Sequence, residues 1–212
     1  MDDCCSGKAK ALEVLACGRQ RNVLVVALLI NAVLFVVELV FGIVARSSAM
    51  MADSVDMLGD AIVYALSLYA LSRSAHWQAG AALAKAGLIL LFGVGILIET
   101  GVKIVEGTTP SSAIMLGVTA IALSGNLICL GMLGRLRHLN VNMASTFECS
   151  RNDVIANVGV LVAGGLVTWF ATGWPDIVVS LAIAILFLVS ALRVSISAWP
   201  EWRGQSGVAA LR

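Results

Sequence analysis

The stretch SAMMADSVDMLGDAIVYALSLYAL, residues 48–71, decides how the rest of the chain is read. It is long enough to cross the hydrocarbon core of a bilayer as a helix, which takes roughly 20 residues. Yet it holds three carboxylates, Asp53, Asp56 and Asp60. Each charge costs roughly 2.5–3.5 kcal/mol at the centre of a membrane helix on insertion scales. Asp56 and Asp60 stand one turn apart and share a face. Asp53, three residues earlier, lies on about the same side. Three aspartates on one stripe of such a helix call for a cation, either a metal ion or protons, to neutralise them.

Outward from this segment the chain is a series of apolar runs. Of its 212 residues 59% are hydrophobic and 13% charged, with a mean hydropathy of +0.95. That excess of apolar residues marks a membrane protein. The runs predict an all-α fold of six transmembrane helices, over 22–45, 48–71, 79–102, 111–133, 144–169 and 177–197. Their unbroken length argues against a barrel, whose strands alternate over about ten residues. Three regions result: an N-terminal tail (1–21), a six-helix transmembrane domain (22–197) and a short C-terminal tail (198–212). No cleavable leader is visible, so the first run reads as a retained helix. Lys8, Lys10, Arg19, Arg21, Arg73, Arg135, Arg137, Arg203 and Arg212 fall on one side of such a bundle, and Arg46 and Lys103 on the other. The asymmetry places both termini in the cytoplasm, in a multi-pass protein of the bacterial inner-membrane type. A net charge of +1 gives no basic excess for nucleic acid. Five scattered cysteines form no disulfide framework.

The fifth run repeats the spacing of the second, with Cys149 and Asp153 again one turn apart. Two helices offering two ligands each make a four-coordinate cage from Asp56, Asp60, Cys149 and Asp153. A tetrahedral site of thiolate and carboxylates suits zinc. The thiolate disfavours magnesium, calcium and manganese, and admits cadmium or cobalt. No protease-type motif accompanies the aspartates, so they do not read as a catalytic dyad, and no enzyme is expected. No prosthetic group is expected.

Two segments carry a resemblance. ELVFGIVARSSAMMADSVDMLGDA (38–61) is similar to the helix 1–helix 2 signature of the cation diffusion facilitator family, with a late Glu and Gly, a small-residue turn and an A-D-x-x-[HD]-x-x-x-D stretch. CSRNDVIANVGVLVA (149–163) resembles the family's helix 5, which usually reads H-x-x-x-D before a V-G-V-like run. WPDIVVSLAIAI (174–185) resembles the start of its helix 6. The resemblance puts Asp56, Asp60 and Asp153 at metal-ligand positions and Cys149 where the family usually has His. That exchange leans toward cadmium, or toward zinc with altered affinity. The resemblance further implies proton-coupled efflux of a divalent metal. Many members carry a C-terminal cytoplasmic metal-binding domain, and the 15 residues after 197 are expected to lack it. A homodimer would then join through the membrane helices. Rival functions are a metal sensor or scaffold that moves nothing, and a passive metal channel.

Other polar residues take supporting roles at this level. Asp53, Glu38 and Asn157 are candidates for holding ligands in place or lining the ion's path. Cys4 and Cys5, beside Asp2 and Asp3, are candidates for metal capture in the tail. Asn31 and Asn126 read as hydrogen-bonding glue between helices. Arg151 faces away from Cys149 and pairs with Glu148.

Overall fold

A computed structural model describes the backbone of residues 3–70, 75–138 and 141–202. Six helices follow one another: α1 (Asp3–Ala45), α2 (Ser48–Ala70), α3 (Ala75–Glu106), α4 (Ser112–Gly134), α5 (Val141–Phe170) and α6 (Trp174–Trp202). The all-α, six-helix expectation holds, and the described residues contain no strand. Residues 3–21, expected as a polar tail ahead of the first span, run on as the opening turns of α1. α6 likewise continues past 197 to Trp202. The side chains of Cys4 and Cys5, and residues 203–212, lie outside what is described.

Among the described residues, four stretches are long and apolar enough to cross a membrane: Gly18–Ala45, Ala86–Glu106, Ser112–Gly134 and Thr146–Phe170. α6 contributes a shorter apolar piece, Trp174–Leu186. α2 has the length, at 23 residues, but its three aspartates depress its apolarity.

α1, α2, α5 and α4 pack as a closed ring, each against the next, while α3 and α6 pair with each other and lean on α2 and α5. Outward faces are apolar, as lipid demands: Leu29, Val33, Val36 and Val40 of α1 are all exposed, as are Leu91 and Ile98 of α3. Gly42 lets α1 and α2 close tightly at their joint. A Cβ there would meet Met51 Cγ at 2.9 Å and Met51 N at 3.1 Å.

One end of the bundle is tied shut. Asp176, in the first turn of α6, is wholly buried. Its carboxylate accepts from Ser47 Oγ (2.6 Å), the Ser48 N–H (3.0 Å), the Ala49 N–H (3.2 Å) and Lys103 Nζ (2.9 Å). It therefore satisfies backbone donors left open at the start of α2 and neutralises a buried ammonium of α3. One turn further along, Thr100 Oγ1 and Ser180 Oγ lie 3.0 Å apart and bind α3 to α6 again. The connections mesh above them. The Ser111 N–H donates to Ala45 O at 2.9 Å, and Gly173 sits so close to Thr108 that a Cβ would stand 2.5 Å from its carbonyl oxygen.

Candidate metal site

The spacing in α2 does what helical geometry requires. Asp56 and Asp60 point the same way, and α5 brings Asp153 to meet them. One carboxylate oxygen from each of the three lies within 4.8 Å of the others. Oxygens on one tetrahedral zinc, at roughly 2.1 Å, stand about 3.4 Å apart, so small side-chain rotations bring these three onto one ion. Asp60 and Asp153 are buried and Asp56 is half-buried. Three acids gathered inside a membrane bundle are costly unless a cation is present.

Cys149 lines the same cavity as Asp56 and Asp60, but it stands outside the tight group of three carboxylates. The cavity measures about 590 Å³ and lies between α2 and α5 on one side and α3 and α6 on the other. Asn152 adds a polar wall, and Ala86, Ile89 and Leu186 an apolar one. Toward the Asp176–Lys103 end its lining stops at Val179, one turn beyond Asp176 on α6. It extends toward the opposite end, where Arg135 and Arg137 follow α4.

The remaining predicted residues fall into distinct places. Asn157 Nδ2 donates to the backbone carbonyl of Asp153 at 2.9 Å, so it braces the helix turn and not the carboxylate. Asp53 is fully buried yet lies outside the three-acid group, and its carboxyl faces Glu38 of α1 instead. Arg151 pairs with Glu148 at the exposed surface, as expected. Tyr64 carries a role that the sequence reading missed. Its hydroxyl donates to Asp60 Oδ2 at 3.2 Å, fully buried. The signal was present, because Tyr64 continues the stripe of 56 and 60 by one more turn. The sequence marks Asp176 only as part of the 174–185 segment that opens the sixth helix, and its partners on α2 and α3 lie beyond any local pattern.

Residues 24–201 match the cation efflux transmembrane domain family. The chain belongs to that family. Curated relatives agree in kind. A "Cadmium, cobalt and zinc/H(+)-K(+) antiporter" of Bacillus subtilis (strain 168) is 24% identical over 84% of this chain and 62% of its own length. A "Metal cation efflux system protein CzcD" of Cupriavidus metallidurans is 25% identical over 87% of this chain and 64% of its own. A "Cation efflux system protein CzcD" of an Alcaligenes species is 28% identical over 79% and 56%. The chain thus spans less than two thirds of the length of these relatives. As a cation efflux family member it is a multi-pass membrane protein of the bacterial inner-membrane type, in a family of transporters and not of enzymes.

Proposed function

We propose that this chain exports divalent transition-metal ions, zinc first and cadmium or cobalt with it, from the cytoplasm in exchange for a monovalent counter-ion, the proton foremost. One observation carries the reading: Asp56, Asp60 and Asp153 converge from two helices on a single point inside a membrane bundle. Cys149, on the wall of the same cavity, swings in as the fourth ligand. The names of the relatives support the same cargo. Metal ligands must shed protons to bind, so the acids that take the metal also take its counter-ion when the metal leaves.

In this reading all six helices cross the membrane and both termini are cytoplasmic. The cavity then faces the cytoplasm, and the Asp176 network closes the outer end. The Glu38–Asp53 pair and Asn157 support the site, and Cys4 and Cys5 capture metal at the cytoplasmic face. Every described element is a helix of the bundle, so a homodimer joins through helix faces.

Purified protein in proteoliposomes tests this directly. An outwardly directed metal load should move faster with an opposing pH gradient, and Asp60→Asn should cut the flux at least tenfold. Flux that ignores the gradient points to a passive channel. Metal binding with no flux in either protein points to a sensor or scaffold.

A further inference from the structure

Leu34 of α1, Met57 of α2 and Ala122 of α4 pack together as one buried apolar layer. α1 runs toward the α1–α2 turn, whereas α2 and α4 both start there, α4 beside Ala45. One turn from the layer toward that turn therefore means four residues after Leu34, four before Met57 and three before Ala122. Those positions hold Glu38, Asp53 and Thr119, and all three side chains are completely buried. One turn the other way stand Asn31, Asp60 and Asn126, and Asp60 belongs to the metal group. The bundle thus contains two polar layers with an apolar one between them.

The layer of Glu38, Asp53 and Thr119 is short of positive charge. The Glu38 and Asp53 carboxyls face each other. None of their four oxygens accepts a hydrogen bond from an N–H or a hydroxyl, and Thr119 Oγ1 has no partner either. Among the described residues, no cation acts on this pair. α2 adds Asp56 and Asp60, α4 adds only uncharged Thr119 and Asn126 along this face, and α5 adds Cys149 and Asp153. The buried ammonium of α3, Lys103, is already held by Asp176 of α6. Two bare carboxylates in contact in a dry bundle are not tolerated, so one unit of positive charge must reside there. The donors are all oxygen, with neither sulfur nor nitrogen. Such a set prefers a hard cation to a soft transition metal.

We propose that Glu38, Asp53 and Thr119 form a second cation site, separate from the metal cluster, that holds the monovalent counter-ion, a proton or an alkali ion. Its role in exchange rests on the antiport reading above; its existence as a binding site does not. Asp53 is within electrostatic reach of Asp56 and Asp153. A positive charge bound at Asp53 therefore weakens the pull on a metal at the cluster, and a metal at the cluster expels that charge. The coupling is reciprocal, as linkage demands.

Calorimetry on the full chain in detergent tests the site without any flux measurement. Zinc is titrated in two buffers of different ionisation enthalpy, with and without potassium, into wild type and Glu38→Gln. If the counter-ion is a proton, the variant should release about one proton fewer per zinc bound. If it is an alkali ion, potassium should weaken zinc binding in wild type, and the variant should lose that sensitivity. Asp53→Asn should reproduce whichever result appears and stands in if Glu38→Gln does not fold. Proton release and potassium sensitivity that both match wild type in the variants would overturn the proposal. Flux that ignores gradients would instead count against antiport alone.

Discussion

In the proposed ligand set, Cys149 is the side chain on which the choice of metal turns. It sits on α5 one turn before Asp153 and lines the cavity beside Asp56 and Asp60. The three aspartates supply hard oxygens that many divalent ions accept, so a soft thiolate is the discriminating group. Replacing it with imidazole keeps a zinc ligand and removes the soft one. Cells stripped of their own exporters and carrying Cys149→His should therefore lose cadmium tolerance, by roughly tenfold in tolerated concentration, while zinc tolerance holds or rises. An unchanged cadmium-to-zinc ratio would remove Cys149 from the ligand set. Tyr64 acts one step back, holding Asp60 through its hydroxyl at 3.2 Å.

At the scale of elements, the joints matter as much as the helices. Arg46, Gly107 and Ala171 end α1, α3 and α5 with φ of 54°, 64° and 49°, the left-handed stop that frees the chain to turn. Glycine adopts it without cost, whereas Arg46 and Ala171 each carry about 1 kcal/mol of strain. All three stops lie at the end that Asp176 locks. That carboxylate joins α6 to α3 by charge and to α2 by two backbone donors. Asp176→Ala strands a buried ammonium and opens the start of α2, so it should cost about 3–5 kcal/mol, read as a fall in thermal unfolding temperature in detergent. Adding Lys103→Met should recover the share due to the stranded ammonium and leave the share due to the uncapped helix.

For the whole molecule, the packing separates a four-helix ring from the α3–α6 pair, and the cavity lies on the seam between them. A seam between two bodies can open at either end, and here the Asp176 end is shut. In the proposed ligand set of Asp56, Asp60, Asp153 and Cys149, protons compete with the metal for the same carboxylates and thiolate. Affinity for zinc should consequently fall as pH falls, by about tenfold per pH unit for each proton displaced. Titration of purified protein with zinc across neutral to acid pH measures the slope, and a flat profile would show that these acids are not the ligands.

Much of this was legible in the chain itself. Apolar runs long enough for a bilayer dictate helices, because lipid offers no partner to an open backbone. The one-turn spacing of Asp56 with Asp60 and of Cys149 with Asp153 places each pair on one helix face before any fold is known. Spacing within a helix, however, says nothing about which helices meet. Only the tertiary packing brought Asp153 to Asp56 and Asp60 while leaving Asp53, on the same stripe, to face Glu38. Only packing joined Asp176 to Ser47 and Lys103, residues 129 and 73 positions away. Local periodicity sets the direction of a side chain, and the partner it finds depends on how six separate helices share the least costly burial of their polar groups.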